Sequence, residues 1–364
     1  MYRKIYLDEP NVGSLEKKYL SEAIDSGDVS LGSFISEFED RFCRFLKVRS
    51  AVATQSGTAA IHLALCGLGI GKGDEVIVPA LTFVGTVNPV MYVGAKPVFV
   101  DVDIQTWNIA SEEIKQRITK KTKAIISVHL YGNPCNMDEI TRISKAYNLY
   151  LIEDATESLG SKYRERFTGA FGDLGCFSFN GNKLITTGGG GMVVGNKRTR
   201  LDYIRYLLNQ ARDDSDEYYH PEIGFNYRMT NIESALGCAQ LERLDEFISK
   251  KRNFQRIYRE ELKGVSFIHF QQRYTEAEPL FWFNCFTFEK KMEIGGLQRE
   301  LRKRGVRTRR IFTPLTAFPP YRRFKGGFKN AFHIYERGLC LPSSTLNSED
   351  DIYFVCKRLK ELIA

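Results

Sequence analysis

One lysine, Lys183, stands between a short apolar segment and a glycine-rich turn, in the run FSFNGNKLITTGGGGMVVG of residues 177–195. The apolar segment predicts a strand, a polar turn of residues 180–182 follows it, and four glycines precede the next apolar segment. The sequence therefore predicts an amine at a strand end. Such a lysine either extends its charged tip to solvent or reacts as an amine nucleophile, and this segment alone leaves both interpretations open.

A small loop, Ser56-Gly57-Thr58, comes directly before the helix-like run AAIHLAL. The first N–H groups of a helix have no acceptor within the helix, and together with the helix dipole and a hydroxyl group they can bind a phosphate. The alternative is an ordinary helix cap by Ser56 or Thr58, without a ligand.

Three more residues lie at or just beyond the ends of predicted strands. Asp154 closes the strand of LIEDA, where a buried carboxylate needs a cationic partner such as a pyridinium nitrogen, whereas Glu153 is expected to make a structural contact. Phe83, in PALTFVG, can stack on a flat ring or simply pack into the core. Ser178, five residues before Lys183, can add a hydroxyl to the same phosphate.

Together these groups are the parts of a pyridoxal phosphate site: an anion cup, a stacking aromatic ring, an acid for a ring nitrogen and an imine-forming lysine. No single group is specific, but their order along the chain is more so. The cofactor serves as an electron sink once a lysine amine has captured its aldehyde. We expect no metal, because the eight cysteines are scattered and no pair has the two-residue spacing of a zinc or redox site.

The elements that must position these residues alternate between strand-like and helix-like segments over residues 50–195, as in parallel α/β folds. Near-continuous apolar runs predict strands covered on both faces, at 76–78, 98–102, 124–129, 150–153, 176–179 and 192–194. In an open parallel sheet, ligands gather at the carboxyl ends of the strands. The loop of residues 56–58, Asp154, Phe83 and Ser178 are expected to belong to this edge.

Helical spacing of apolar residues predicts a helix over 137–147, and another single helix over 232–247 that leads into a second, smaller domain. The chain ends in a helix that begins with a capping box of Ser348 and Asp351.

Composition favours a cytoplasmic protein with reduced thiols, because the first residues lack the apolar core of a signal peptide and no apolar run reaches the roughly 20 residues of a membrane helix. The net charge is +8, but residues 299–325 contain ten Lys or Arg against one acid, so the rest is near neutral. This patch can bind phosphate or be a solvated helix face, and we expect neither a nucleic-acid nor a membrane partner.

Seven segments make the chain similar to the DegT/DnrJ/EryC1/StrS family of nucleotide-sugar aminotransferases. They are QSGTAAIHLAL, GDEVIVPALTFVGTVNPV, AKPVFVDVD, HLYGNP, LIEDATESLGS, GDLGCFSFNGNKLITTGGGGM and GFNYRMTNIESALG. The resemblance implies a fold-type I (aspartate aminotransferase-like) α/β enzyme with a mainly parallel sheet. It implies a large cofactor-binding domain at 1–245 and a smaller C-terminal α/β domain at 246–364, on which the N-terminal segment can pack.

Carried over residue by residue, the resemblance implies that Lys183 binds pyridoxal phosphate covalently and moves the protons, with Asp154 on the pyridinium nitrogen. The other implied cofactor contacts are Gly57, Thr58 and Ser178 on the phosphate, Phe83 on the ring and Glu157 near the 3-hydroxyl. Family members are homodimers with shared active sites, and Asn226 matches an asparagine that reaches the phosphate from the second subunit. The implied substrate contacts are Arg228, Arg309, Arg310 and Phe312.

The implied reaction moves an amino group from L-glutamate to the cofactor, with pyridoxamine phosphate as its aminated form, and then to C4 of a nucleotide-linked 4-keto-6-deoxy sugar. The turn FNGNKLITTGGGG is most similar to enzymes that act on UDP-2-acetamido-2,6-dideoxy-4-keto-hexose. GDP-perosamine synthases, with SFFGNK there, are the alternative. Either activity would serve bacterial polysaccharide synthesis, including lipopolysaccharide O-antigen. Relatives that are dehydratases replace the lysine by histidine, and a non-catalytic regulatory protein is a further alternative.

One departure from the family pattern lies beside the cofactor's 3-hydroxyl, and a second lies in the region that faces the sugar nucleotide in relatives. Many relatives have Gln where this chain has Glu157, although the UDP-sugar branch often has Glu there. A second carboxylate at this position can stay ionised or take up the cofactor's phenolic proton. Relatives commonly read Arg-Pro-aromatic and then His, whereas this chain has Arg309-Arg310-Ile311-Phe312 and then Thr316.

Overall fold

The computed structural model describes residues 4–213, 218–324 and 326–363. Within these residues, the strands are β1 Ser50–Thr54, β2 Glu75–Pro79, β3 Lys96–Val100, β4 Thr122–Val128, β5 Tyr150–Asp154, β6 Lys162–Tyr163, β7 Arg166–Phe167, β8 Leu174–Ser178, β9 Gly191–Gly195, β10 Ile268–Phe270, β11 Ala277–Glu278, β12 Asn284–Phe288, β13 Arg309–Arg310 and β14 Gly338–Leu341. The helices are α1 Ser14–Asp25, α2 Ser33–Leu46, α3 Gly57–Gly67, α4 Val84–Tyr92, α5 Ser111–Arg117, α6 Met137–Ala146, α7 Arg198–Leu208, α8 Asn231–Glu242, α9 Leu244–Leu262, α10 Ile294–Lys303, α11 Lys329–Arg337 and α12 Glu349–Ile363.

A seven-stranded sheet, in the order β1-β9-β8-β5-β4-β2-β3, forms the centre of the first two thirds of the chain. The strands β3, β2, β4, β5 and β8 run parallel, and β9 runs antiparallel to both β8 and β1. The central strands are almost wholly buried because helices cover both faces of the sheet, which agrees with their near-continuous apolar sequences.

The antiparallel direction of β9 puts the segment with Lys183 at one edge of the sheet. Since β1 and the five parallel strands point the same way, their carboxyl ends lie at one edge of the sheet, and the β8–β9 connection turns back at that edge. Lys183 lies in this connection. The close approach of β9 to the start of α3 requires a glycine at its first residue, because a Cβ on Gly191 would lie 2.5 Å from the carbonyl carbon of Ser56.

A second, four-stranded antiparallel sheet, in the order β10-β12-β14-β13, lies in the last third of the chain. Residues of α9, α10 and α12 share a buried core with this sheet, and Ile5 from the N-terminal segment belongs to the same core. The predicted domain boundary after residue 245 falls inside α9. The division into two domains therefore stays a prediction, although the N-terminal segment does pack on the C-terminal sheet.

All six strands predicted between residues 50 and 195 are confirmed, with ends that differ by up to two residues. β1 was missing from the prediction, because its sequence SAVAT is short and contains two alanines, which have little strand preference. The single helix predicted over 232–247 is wrong. The chain breaks at Arg243 into α8, which starts with a capping box of Thr230 and Glu233, and α9.

The capping box of the last helix is confirmed, because Ser348 N–H donates to Asp351 Oδ2 at 2.8 Å and Asp351 N–H donates to Ser348 Oγ at 3.3 Å. All eight cysteines are free thiols. Across the described residues, no group of His, Cys, Asp and Glu side chains is suited to hold a metal ion. In that same part of the chain, none of the helices combines the length and the apolar character needed to cross a membrane.

Candidate active site

A cavity of about 270 Å³ opens at the carboxyl-terminal edge of the large sheet. Its walls come from the segments after β1, β2, β5 and β8, with Trp282, Arg309 and Phe312 contributed by the C-terminal part of the chain. Nine of the residues predicted to form the site line it: Gly57, Thr58, Phe83, Asp154, Glu157, Ser178, Lys183, Arg309 and Phe312. The strand-end interpretation therefore brings most of the predicted residues to one place.

The side chain of Lys183 points into this cavity and is 13% exposed. Its Nζ lies 3.9 Å from the ring centre of Trp282 and 3.7 Å from Glu157 Oε1. Burial lowers the pKa of Lys183, while the nearby carboxylates of Glu157 and Asp154 act in the opposite direction. The structure thus holds the amine inside the cavity, with an increased fraction in the neutral, nucleophilic form.

Glu157 is buried beside the lysine, and its Oε2 accepts a hydrogen bond from the backbone N–H of Tyr131 at 2.8 Å. Burial raises the pKa of Glu157, and the Lys183 amine opposes that rise. Both partners of the pair are therefore shifted towards their neutral forms. Tyr131 adopts a left-handed backbone conformation (φ 55°), which is costly for a tyrosine and directs its N–H at the carboxylate.

Asp154 ends β5 at the deep side of the cavity and is 3% exposed. Its Oδ2 accepts a hydrogen bond from Thr86 Oγ1 at 2.7 Å, and its Oδ1 accepts one from Thr156 N–H at 3.2 Å. These two donors orient the carboxylate without neutralising it. A buried carboxylate of this kind can bind and stabilise a cationic ring nitrogen.

The start of α3 forms a narrow cradle opposite Ser178. Ser56 caps the helix, since its Oγ accepts the N–H of Ala59 at 3.1 Å. The N–H groups that come before Ala59 at the helix start have no acceptor within the helix. A Cβ on Gly57 would lie 2.8 Å from Ser178 Cβ, so the cradle accepts only glycine there without a shift. The ordinary cap and the anion cup predicted for this loop are therefore compatible.

Aromatic rings form the outer wall of the cavity. Phe83 precedes α4 and is 55% exposed, so it is not a core residue of this chain. Its ring centre lies 5.7 Å from that of Phe312, which stacks on Tyr131 at 5.1 Å. The backbone N–H of Phe312 donates to the Tyr131 hydroxyl at 2.9 Å. A flat ligand can enter between these rings and the acids below.

Four residues discussed from the sequence lie outside the cavity. Asn226 and Arg228 are exposed, before α8. Arg310 points away from the cavity because neighbouring strand residues face opposite sides. Its guanidinium lies 4.5 Å from the ring centre of Tyr335. Thr316 lies in a short 3₁₀ turn, 315–317, that does not line the cavity. The roles predicted for Asn226, Arg228 and Arg310 stay predictions.

The basic patch is divided between different surroundings. On α10 and the turn after it, exposed Lys303 and half-buried Arg304 pair with Glu300, and Arg299 pairs with Glu293. This part is a solvated helix face. Arg309 is the member of the patch that lines the cavity, among the residues that the structure describes. Lys325 lies outside those residues.

Sequence reasoning missed Trp282, Tyr131, Thr86 and Asn182 as parts of the site. Trp282 Nε1 donates to the carbonyl oxygen of Asn182 at 2.7 Å, which fixes the indole against the lysine segment. The tryptophan lies about a hundred residues after that segment, and no local pattern links the two. Asn182 and Thr86 had a usable signal, since both come shortly after strand ends, as several of the predicted residues that line the cavity do.

The residues present fit pyridoxal phosphate. The glycine-only cradle at the start of α3 suits a phosphate, the buried carboxylate of Asp154 suits a protonated ring nitrogen, and the enclosed amine of Lys183 suits an aldehyde. A second cation, Arg309, also lines the cavity. A ligand with a negative group can be bound there next to the reacting amine.

Known proteins similar to this chain include pyridoxal phosphate-dependent and sugar aminotransferases. The model of the DegT/DnrJ/EryC1/StrS aminotransferase family matches residues 10–360. The GDP-perosamine synthase of Escherichia coli O157:H7 is 40% identical to this chain and that of Vibrio cholerae is 39% identical, each match covering 97% of both chains. The solved structure of Spr1654 from Streptococcus pneumoniae in its PLP-form is 26% identical, with a TM-score of 0.94 over 99% of this chain and 98% of that one.

Proposed function

Because the chain belongs to the DegT/DnrJ/EryC1/StrS aminotransferase family, we propose that it transfers an amino group from L-glutamate to C4 of GDP-linked 4-keto-6-deoxymannose. The observation that carries the choice of sugar is the 40% identity to a GDP-perosamine synthase over 97% of both chains. A second GDP-perosamine synthase, from Vibrio cholerae, supports it with 39% identity over an equal share.

Several broader predictions are confirmed. The chain is a pyridoxal phosphate-dependent sugar aminotransferase with a fold-type I architecture. Dehydratases of this family have histidine at the position of Lys183, so the lysine argues against a dehydration reaction. The complete set of Lys183, Asp154 and the phosphate cradle argues against a non-catalytic regulatory protein.

The preference for a UDP-linked N-acetylhexosamine came from the short turn FNGNKLITTGGGG. The full-length relatives favour the alternative, a GDP-linked sugar. A turn beside the lysine contacts the part of the site that is common to every substrate, so it carries little information about the nucleotide. We therefore place the enzyme in the synthesis of a surface polysaccharide that contains a 4-amino-4,6-dideoxy sugar, such as an O-antigen.

Bound pyridoxal phosphate supplies an electron sink that stabilises negative charge on the carbon next to the transferred nitrogen. The chain's own residues do the rest. Nζ of Lys183 accepts the α proton of the amino donor, and it returns a proton to C4 of the sugar in the second half of the reaction. Asp154 keeps the ring nitrogen protonated, while the cradle at Gly57 and Ser178 holds the phosphate. Trp282 packs on the Lys183 amine and lines the cavity with Phe312, so these rings would exclude water from the site.

We also propose a homodimer with shared active sites. Asn226 and Arg228 are exposed and outside the cavity of their own chain, although both flank buried structure at the start of α8. Two large side chains nearby in the sequence are also exposed, Tyr219 at 56% and Ile223 at 88%. A second copy covering this surface would bury those side chains and bring its Asn226 towards the phosphate cradle.

The deciding experiment offers the pyridoxal phosphate-loaded enzyme two substrates in parallel, GDP-4-keto-6-deoxymannose and UDP-2-acetamido-2,6-dideoxy-4-keto-hexose, each with L-glutamate. We expect an amino sugar from the GDP substrate, identified by mass spectrometry, and 2-oxoglutarate in equal amount. Efficient amination of the UDP substrate alone would reject the choice of nucleotide. Failure of glutamate to react in either mixture, with alanine or aspartate active instead, would reject the choice of donor.

A further inference from the structure

The arginine in the cavity already has a carboxylate partner. Nη2 of Arg309 lies 2.7 Å from Oδ2 of Asp8, and the two side chains are 34% and 14% exposed. Asp8 comes from the N-terminal segment and does not line the cavity itself, so it lies behind the arginine. Among the residues described, the cations lining the cavity are Lys183 and Arg309. Because Lys183 is the residue that reacts covalently, Arg309 is the cation of the two that can bind an anion, and it already pairs with Asp8.

The backbone around Asp8 is fixed from two sides. The carbonyl oxygen of Leu7 accepts the N–H groups of Ser343 and Ser344, at 2.7 and 3.0 Å. On the cavity side, Asn182 Nδ2 donates to Asp8 Oδ2 at 3.1 Å. The same carboxylate oxygen therefore accepts from the arginine and from the residue next to the reactive lysine. The N-terminal segment acts as a strap that carries one negative charge to the rim of the site.

We propose that Asp8 is the internal counter-ion of Arg309, and that the α-carboxylate of the amino donor competes with it for this arginine. The inference rests on the proposed function, because it takes glutamate as the donor. The α-carboxylate is attached to the carbon whose proton Lys183 removes, so it must lie within the small cavity and next to a cation. The diphosphate of a nucleotide sugar is separated from C4 by the sugar ring, so it lies farther from the lysine.

The two possible roles of Asp8, competitor or positioning residue, predict opposite changes in carboxylate binding when Asp8 is removed. If Asp8 only positioned Arg309, its removal would weaken the binding of a carboxylate. If Asp8 competes, removal of its charge strengthens that binding, because the guanidinium no longer has to be taken from another anion. The sign of the change therefore distinguishes the two roles.

The charge of Asp8 also acts on the lysine. Arg309 lowers the pKa of Lys183 and Asp8 raises it, in addition to the larger effects of burial and of the Glu157 and Asp154 carboxylates. Replacement of Asp8 by a neutral residue leaves the arginine uncompensated. The pKa of Lys183 is then expected to fall further, which gives a second measurement independent of turnover.

The test uses the pyridoxal phosphate-loaded enzyme, its Asp8→Asn variant and a matched control, Glu9→Gln. Glu9 is the adjacent acid on the strap, and it pairs at 3.2 Å with Arg307, which does not line the cavity. Glutarate serves as the probe, because it has both carboxylates of glutamate and no amino group to react. Isothermal calorimetry measures its binding, and GDP is titrated in parallel.

We expect Asp8→Asn to bind glutarate about fivefold more tightly, as is typical of a partly exposed ion pair, with GDP binding unchanged. Glu9→Gln should match the wild type for both ligands. Weaker or unchanged glutarate binding in Asp8→Asn would overturn the proposal, and so would tighter binding of GDP alone. Asp8→Ser replaces Asp8→Asn if the latter does not fold. Since glutarate does not react, the outcome is independent of whether the GDP sugar is the true acceptor.

Discussion

The pair of Lys183 and Glu157 yields a quantitative prediction for the Glu157→Gln variant. The amide oxygen of glutamine can still accept the Tyr131 N–H that Glu157 accepts at 2.8 Å, so the change removes charge and little else. At the observed 3.7 Å between Lys183 Nζ and Glu157 Oε1, a full ion pair is worth about 4 kcal/mol at an effective dielectric constant of about 20.

The expected effect is smaller than this limit. Burial raises the pKa of Glu157, which lowers the ionised fraction of its carboxylate. We therefore expect the pKa of Lys183 to fall in the variant, with a free-energy change below the value of about 4 kcal/mol for a full ion pair. The direction follows from charge alone, because loss of a nearby negative group favours the neutral amine.

The assay measures how fast the cofactor-free protein adds pyridoxal phosphate at Lys183, followed by absorbance as a function of pH. Only the neutral amine reacts, so the midpoint of the profile reports the pKa of Lys183. Glu157→Gln should shift the midpoint down, while Glu9→Gln, outside the cavity, should change it far less. An unchanged midpoint would show that Glu157 is already protonated, and an upward shift would refute the electrostatic account of this pair.

Three further predictions test other parts of the site. Gly57→Ala places a Cβ 2.8 Å from the nearest side-chain carbon across the cradle, so the affinity for the cofactor should fall at least about tenfold in a fluorescence titration. The control is Gly71→Ala, whose Cβ makes only an ordinary 3.7 Å contact, and it should bind the cofactor normally in the same titration. Burial lowers the pKa of Lys251 to about 7, so the unfolded chain binds the extra proton between that pH and about 10. The wild type should therefore lose stability relative to Lys251→Met by roughly a few kcal/mol as pH falls through this range in denaturant titrations, and a constant difference would contradict the shift. Lys183→Ala and Asn226→Ala should each be nearly inactive, and mixing them under conditions that exchange subunits should restore activity; no recovery would exclude shared active sites.

Basic residues that are close together in the sequence of residues 299–325 have different surroundings in the structure. Residues 299–325 look like one anion-binding surface, yet Lys303 and Arg304 pair with Glu300, and among the described residues of this patch only Arg309 lines the cavity. The next residue, Arg310, faces the other side of the short strand β13 and contacts Tyr335. A composition count cannot distinguish these cases, because the face that each residue presents depends on which strand it pairs with.

Lys183, Asp154 and Ser178 could be predicted from the sequence because each lies at or just beyond the end of a short apolar strand, and Gly57 because its small loop precedes a helix-like run. Parallel strands bring such ends together whatever the details of packing, so local patterns were sufficient for the fold class and the cofactor. The resemblance to the aminotransferase family rests on the same strand-end segments. Their spacing is set by the strands and helices between them.

Only the tertiary structure decided what surrounds the amine. Trp282 packs on Lys183, Tyr131 turns its N–H to Glu157, and Asp8 holds Arg309, although these partners come from distant parts of the chain. No local periodicity encodes such contacts, since they depend on how the C-terminal sheet and the N-terminal strap lie against the large sheet. The sequence by itself therefore determined which chemical groups are present and at which edge of the sheet they gather. Long-range packing determined the burial and the neighbouring charges that shift the pKa values of Lys183 and Glu157.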